Sequence, residues 1–412
     1  MHLDDNSLLS DFAHQPVMRK ALPVSPLRRS RLSLAFLTTT LLFALSSCTA
    51  SKDPQDSFAP EGPYARSIKR LAEPVFIIAV GVGIFVYLLV FFCAAKFRRR
   101  DEDHVPKQVH GNTAAELTWT AIPALTLAVV GVFSVGAVFE HAEDPKGAMN
   151  ITVIGHQWWW EYQYPQIGET TLQPRLVTKA DPLDIDAAKE EGREPKMRAG
   201  QLVQAGPVIV TANELHVPAG KKVRLQITSS DVLHNYWVPK LAGKIYAIPG
   251  KINKLTLDSD PDDAGKIIYG QCAEFCGTSH ANMRFKVVID SPADYEKWLA
   301  NQAAPALKPT GDPETDLVAK GEATFTASGC NACHYLESDK INDQGIVGKI
   351  GPNLAHVGAR RHFAGAIAEL NETNLTAWLR DPQKFKPGSR MVIGKLNEEQ
   401  IEALVAYIQS LK

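Results

Sequence analysis

Two runs without a single charge, Val75 to Ala95 and Leu117 to Phe139, constrain this chain more than any other feature. As helices rising 1.5 Å per residue they would each be roughly 30 to 35 Å long, which matches the hydrocarbon core of a bilayer. In lipid every backbone N–H and C=O must be paired within its own segment, so each run is predicted to be a transmembrane helix. Two buried helices of a soluble core are the alternative, but soluble cores rarely need two uncharged runs of this length. Between the runs lie Lys96, Arg98, Arg99, Arg100 and Lys107, and the positive-inside rule places that connection in the cytoplasm. Everything after about residue 140 is then expected on the outer face of the membrane.

The start of the chain agrees with that orientation. Arg19, Lys20, Arg28, Arg29 and Arg31 precede the charge-free stretch Leu32 to Leu45, a basic region followed by an apolar segment too short to span comfortably. This is predicted to be an export signal over residues 1–47. Leu45-Ser46-Ser47-Cys48 resembles a bacterial lipobox, which implies a lipid on Cys48; an ordinary buried or removed cysteine is the alternative.

Composition sets further limits. The 412 residues are 45% hydrophobic, too apolar for a disordered tail and long enough for two or three domains. Lys plus Arg number 44 against 45 Asp plus Glu, so no basic excess is present to meet a polyanion, and a nucleic-acid partner is not expected. Six cysteines are too few for a disulfide scaffold. Apart from Cys48 and Cys93, the latter an apolar filler at the end of the first run, they form two close pairs, 272/276 and 330/333, and close pairs suggest metal or cofactor chemistry. Glu116 opens the second run, where a solvated helix-start carboxylate and a proton-handling group are both open readings.

From Ile151 the pattern changes to short apolar runs: Ile151 to Ile154, Val208 to Thr211, Lys222 to Thr228, Lys254 to Leu257, Ile267 to Gly270 and Phe285 to Ile289. That spacing suggests an antiparallel β-sandwich or barrel. The stretch from about 168 to 204 is polar and aperiodic and reads as a long surface excursion. The chemistry gathers at His234 and at Cys272-Ala273-Glu274-Phe275-Cys276-Gly277-Thr278-Ser279-His280-Ala281-Asn282-Met283. Two thiolates, two imidazoles and a thioether suit copper better than magnesium or calcium, with zinc still open on ligand type. A mononuclear blue-copper site needs one thiolate fewer; the extra sulfur fits a pair of coppers bridged by both. A Cys272–Cys276 disulfide would leave the ordered placement of His280 and Met283 unexplained.

His234 followed by Cys272-x-x-x-Cys276-x-x-x-His280-x-x-Met283 resembles the dinuclear CuA centre of cytochrome c oxidase subunit II. The likeness runs from about residue 75 to 290 and takes in the helix pair, His156-Gln157-Trp158-Trp159-Trp160-Glu161-Tyr162 and Asp231-Val232-Leu233-His234. It implies a cupredoxin-like sandwich over 148–295, with Cys272 and Cys276 bridging the coppers, His234 and His280 capping one each, and Met283 and the Glu274 carbonyl as weak outer ligands. It also implies that the Glu274 side chain points toward a magnesium site at the boundary with subunit I, that Trp158 is the entry point for electrons, and that Glu116 lies near the mouth of a proton path. Trp159 and Trp160 are expected to be packing or membrane-interface aromatics.

Residues 301–315 hold three prolines and almost no large apolar side chain, and read as a tether. Beyond them, Leu317 to Phe325 is predicted to be helical, and Cys330-Asn331-Ala332-Cys333-His334 has the C-x-x-C-H spacing for covalent attachment of haem c, with His334 on the iron. A redox disulfide or half a zinc site is the alternative, and no second Cys/His pair nearby supports zinc. A terminal helix is expected to place Ile401, Leu404, Val405, Ile408 and Leu411 on one stripe. With Gly351-Pro352-Asn353-Leu354 after the haem motif, residues 316–412 resemble a small class I cytochrome c, an all-α fold. Met391, the one methionine in this stretch, is the expected sixth ligand, because thioether ligation raises the potential and favours electron transfer.

The expected whole is a multi-domain membrane protein: a two-helix transmembrane hairpin over 70–142, the sandwich, the tether and the cytochrome domain. The resemblance implies the electron-input subunit of a haem-copper oxidase in a bacterial inner membrane, fused to its own cytochrome c as in caa3-type enzymes. Its partners would be subunit I, the other oxidase subunits, and a donor cytochrome or bc-type complex. A membrane-anchored carrier serving a different periplasmic reductase is one rival reading. A copper-storage or copper-insertion protein is another, but it leaves the haem motif without a purpose.

Overall fold

The computed structural model describes residues 54–98, 108, 110–165, 175–177, 189–192, 201–203, 208–339 and 350–412. The expected export signal, Cys48, the basic stretch from Arg99 to Lys107 and most of the 168–204 excursion lie outside the described residues.

Helix α1 spans Pro63–Lys96 and α2 spans Thr113–Ala142. Both are long and apolar enough to cross a membrane, and their apolar stretches are not buried by protein. Phe85, Leu88, Leu125 and Val132 all face outward, the all-round apolar surface of a helix solvated by lipid. Thr118, Thr120, Thr126 and Ser134 each donate their hydroxyl to the carbonyl four residues back, so these polar groups need no water. α1 starts at Pro63, a residue suited to a first helical turn because it lacks the N–H that would be orphaned there.

Polar contacts fasten the hairpin's outer ends to the domain that follows. Arg66 donates twice to Asp260, at 2.6 and 2.9 Å, and Lys240 and Lys266 reach Glu61 at 3.2 and 2.5 Å. Buried Arg224 donates to the Ala142 carbonyl at the end of α2 and pairs with Asp144. Half-exposed pairs like Arg66–Asp260 are worth about 0 to 1 kcal/mol each, so they orient the domain more than they stabilise it.

That domain is a sandwich of two five-stranded sheets. One has the order β10-β7-β1-β2-β5, from strands Met149–His156 (β1), Trp159–Pro165 (β2), Val208–Ala212 (β5), Val223–Ser229 (β7) and Asn253–Leu257 (β10). The other has the order β6-β12-β11-β8-β9, from Glu214–Pro218 (β6), His234–Trp237 (β8), Lys244–Ala247 (β9), Ile267–Cys272 (β11) and Arg284–Asp290 (β12). Two short strands, Arg175–Val177 (β3) and Gln201–Val203 (β4), pair apart from both sheets. Ile151, Val153, Trp160, Tyr162, Leu225, Ile227, Tyr236, Phe285 and Val287 meet between the sheets with essentially no exposure.

The six expected strands are present, but the antiparallel expectation needs correction. β1 pairs with β7 in parallel, from Met149 opposite Val223 to Gly155 opposite Ser229, and β6 pairs with β12 in parallel. An apolar period reports which side chains are buried and carries no information on strand direction; long connections make parallel neighbours possible. Strands β2, β6, β8 and β9 were not expected. β2 reads as an aromatic string, and β8 and β9 are only four residues each.

Helix α3, Pro292–Ala303, is capped by Ser291 and stacks Trp298 on His216 at 4.2 Å. It runs three residues into the expected tether. After it, Ala306 packs against the second core and the Ala304 carbonyl accepts from His356.

The second core joins α4 (Leu317–Ala327), α5 (Glu372–Arg380), α6 (Pro382–Phe385) and α7 (Glu398–Ser410). All five residues of the expected terminal stripe are buried in it. A two-residue ladder, β13 (His362–Phe363) with β14 (Ala368–Glu369), is the one departure from the all-α expectation among the described residues. Asp316 caps α4, and Asn397 with Gln400 forms a capping box on α7. α4 crosses α7 closely at Gly321, where a Cβ would lie 2.1 Å from the Ala403 carbonyl oxygen. Gly321→Val is therefore expected to destabilise this domain by about 1 to 3 kcal/mol, read as a lowered midpoint for loss of the native haem spectrum on heating. An unchanged midpoint would mean that the crossing is looser than described.

Candidate metal and haem sites

The loop between β11 and β12 returns on itself so that its sulfurs and imidazole converge. Cys272 ends β11, and its Sγ lies 3.8 Å from Cys276 Sγ and 3.3 Å from the Glu274 carbonyl oxygen. Cys276 Sγ lies 3.5 Å from His280 Nδ1 and 3.8 Å from Met283 Sδ. His234, at the start of β8, presents Nδ1 to Cys272 Sγ at 3.9 Å. The two sulfurs are not joined as a disulfide in this structure. Each imidazole instead faces a different sulfur, which fits two metal ions side by side.

The surroundings support that fit. Asp231 accepts from His234 Nε2 at 2.8 Å, which holds the ring and leaves Nδ1 free to ligate. A Cβ on Gly155 would lie 2.8 Å from the His234 ring, so only glycine lets β1 pass beneath it. The Gln157 amide and the Trp158 indole both donate to the Cys276 carbonyl, at 2.8 and 2.9 Å. The hydrogen-bonding thiol of Cys276 holds Cys272 well below the usual thiol range against the burial that opposes it. The Cys276 thiol is in turn pushed strongly upward, first by Cys272 beside it and then by burial. Two buried sulfurs at this spacing cannot both ionise unaided. A bound cation removes that conflict, and soft sulfur with imidazole suits copper.

The second site is a cleft with about 1470 Å³ of free space, its mouth included, in the C-terminal domain. Cys330, Cys333, His334, Gly351, Trp378 and Met391 line it. The Pro352 carbonyl lies 2.7 Å from His334 Nδ1, so an Nδ1–H donated there leaves Nε2 for a metal. A Cβ on Gly351 would lie 2.4 Å from the same ring. Trp378 donates its indole N–H to Met391 Sδ at 3.1 Å and so orients the sulfur. Arg360 also lines the cleft. It is buried, its guanidinium is pushed down to about 10 by burial, and its Nε has no protein partner among the described residues. A buried guanidinium short of an acceptor fits a cofactor that carries carboxylates, as haem does.

The cleft is closed on one side by the sandwich. Gln157, Trp158, Trp159 and Asn213 complete its wall, so the tryptophan bonded to Cys276 also faces this cleft. Trp160 sits fully buried between Tyr236, Phe285 and His234, a packing residue as expected. Trp159 stacks on His156 at 4.1 Å and lines the cleft as well, a position the sequence did not signal. Lys386 reaches from the C-terminal domain to the Trp158 carbonyl, and burial pushes its ammonium down to about 7. Arg360, Trp378 and Lys386 carry no motif; Gln157 and Asp231 were marked only as members of His156-Gln157-Trp158-Trp159-Trp160-Glu161-Tyr162 and Asp231-Val232-Leu233-His234.

Two expected residues lie apart from both centres or at their edge. Glu116 is exposed near the start of α2, where its carboxylate accepts from the Asn112 N–H at 3.2 Å, the geometry of a helix-start residue. The Glu274 side chain is partly exposed and hydrogen-bonds Tyr246, next to Phe275, which is 75% exposed.

Comparison with known proteins accounts for nearly all of the described chain. Residues 55–136 match the transmembrane domain of cytochrome c oxidase subunit II, residues 149–291 its periplasmic domain, and residues 318–412 cytochrome c. The chain is 35% identical over 389 residues to cytochrome c oxidase subunit 2 of Alkalihalophilus pseudofirmus, covering 92% of this chain and 96% of that one. It is 32% identical over 395 residues to cytochrome c oxidase subunit 2 of Bacillus subtilis, with 92% and 97% covered. The crystal structure of the periplasmic domain of cytochrome oxidase subunit II of Bradyrhizobium japonicum is 27% identical over 39% of this chain and 96% of that one, with a TM-score of 0.27. These matches imply copper for the sandwich and haem for the C-terminal domain. The protein therefore belongs to the cytochrome c oxidase subunit II family, in the form that carries a cytochrome c domain of its own.

Proposed function

We propose that this chain is the electron-input arm of a bacterial haem-copper oxidase, anchored by two spans in the inner membrane with both cofactor domains on the periplasmic face. Cys272, Cys276, His234 and His280 would hold the dicopper centre, with Met283 and the Glu274 carbonyl as weak ligands. Cys330 and Cys333 would bind haem c covalently, with His334 and Met391 on the iron. When bound, the two groups would supply the one-electron chemistry that side chains lack, held by the residues named above.

The chain's own residues do the rest. Asp231 and the Pro352 carbonyl fix the two imidazoles so that little ligand movement accompanies each redox change. Trp158 lines the cleft with its ring and donates to the carbonyl of Cys276, and this double contact is the observation that carries the proposal. Glu274 with exposed Phe275 would face subunit I, where the carboxylate can hold magnesium. Glu116 would lie near a proton entrance. The external donor would be a cytochrome or a bc-type complex, reaching the haem and not the covered Trp158.

The test is rapid reduction of the purified full chain loaded with haem and copper. Haem should be reduced first and then reoxidised as the copper pair gains the electron, with a mixed-valence paramagnetic signal. Absence of that signal, or haem that stays reduced beside oxidised copper, would overturn the assignment.

A further inference from the structure

Lys386 lies where the two cofactor domains meet. Its side chain is buried, 4% exposed, and among the described residues its hydrogen bonds go to two backbone carbonyls: Trp158 O at 2.5 Å and Ala364 O at 2.9 Å. One carbonyl belongs to the sandwich and one to the cytochrome domain. Burying an ammonium costs several kcal/mol unless it is well bonded, and an apolar side chain of similar length would fill the space without that cost. What the ammonium adds is direction: it draws two carbonyls toward one point.

The packing around it is close. A Cβ on Gly365 would come within 2.5 Å of Lys386 Nζ and 2.7 Å of the Asn282 carbonyl oxygen, and the Gly365 carbonyl accepts from the Arg284 N–H at 2.9 Å. A Cβ on Gly388 would lie 2.9 Å from Thr278 in the ligand loop. Arg390 donates to the Gln157 side chain, and the Arg361 N–H donates to buried Glu214 at 2.9 Å. The turn that starts at Lys386 ends at Met391: the Ser389 N–H bonds the Lys386 carbonyl, and the Met391 N–H bonds Ser389 Oγ. One short segment thus holds the contact to Trp158 at one end and the cleft sulfur at the other.

We infer that Lys386 is a positioning residue for electron transfer inside the chain, its ammonium fastening the Trp158 carbonyl to the Ala364 loop so that the tryptophan stays seated in the wall of the haem cleft. This rests on the electron-input reading above and extends it to a residue that ligates nothing.

The test compares wild type with Lys386→Met, which keeps a long unbranched side chain and removes the donor, in the full chain with both cofactors. Copper and haem spectra and both potentials should stay as in wild type, while haem-to-copper transfer slows about tenfold, the effect expected from losing one charged hydrogen bond at a docking contact. Amide exchange at Arg284 and Arg361 should accelerate while the sandwich core stays protected, and Lys386→Arg should recover part of the rate. Unchanged transfer with unchanged exchange overturns the inference. So does a shifted haem potential with normal exchange, which would make the ammonium a partner of the haem carboxylates. Should wild type show no haem-to-copper transfer, the electron-input reading fails instead, and the exchange result still judges Lys386. If Lys386→Met loses a cofactor, acylation of wild type decides. Lys386 should react far more slowly than Lys297, whose side chain is 78% exposed; equal rates overturn the proposed seat.

Discussion

Cys276→Ser is expected to abolish the mixed-valence copper signal and internal electron transfer while leaving the haem c spectrum intact. A serine hydroxyl does not ionise near neutral pH and offers hard oxygen where copper favours sulfur. The sulfur removed is the one within 4 Å of Cys272, His280 and Met283, so the loss reaches the other side-chain ligands on the loop. The seat around it should survive, because Gln157 and Trp158 bond the backbone carbonyl of residue 276 and not its side chain. Cys330 packs against a separate core, and Cys330, Cys333 and His334 line the cleft there and should keep the haem. Copper content, the paramagnetic signal and the haem absorption of one preparation check all three parts. A normal dicopper signal in the serine variant would refute the bridging role.

Met391→Ala should lower the haem potential by on the order of 100 mV, within the range of about 0.8 V over which axial ligands act, without releasing the haem. The two thioether links would hold the porphyrin, so loss of the sulfur changes the iron and not the attachment. Transfer to copper should slow or speed according to the new driving force, which a redox titration and a transfer rate on the same sample can relate. The structure adds an internal control. Trp378 donates to the Met391 sulfur, so Trp378→Phe should shift the potential in the same direction by a smaller amount. A potential unaffected by Met391→Ala would mean that another residue takes the sixth position.

Much of this site could be read from the sequence, for a local reason. Cys272, Cys276, His280 and Met283 lie on one loop, and Cys330, Cys333 and His334 on one turn, so their spacing alone carries the chemistry. The terminal stripe from Ile401 to Leu411 was equally visible, since a helix repeats its buried face every three or four residues. His234 stands 38 residues before Cys272, so the sequence offered it as a candidate imidazole by ligand type and the family resemblance gave it its role. Strands β2, β8 and β9 escaped notice because aromatic residues and four-residue runs do not show a clear alternation. Lys386 was invisible, as its partner Trp158 is 228 residues away and nothing in a lysine between Phe385 and Pro387 marks it for burial.

The order of the chain by itself determined two apolar helices long enough to cross a membrane and the close grouping of thiol, imidazole and thioether side chains, because hydrophobic length and residue spacing act over a few consecutive residues. Only the tertiary structure decided that β1 runs parallel to β7, that each imidazole faces its own sulfur, and that the haem cleft is walled by the tryptophan bonded to Cys276. Those outcomes depend on segments far apart in the chain being packed into one interior, where burial, close contact and the pairing of every buried polar group must be met together.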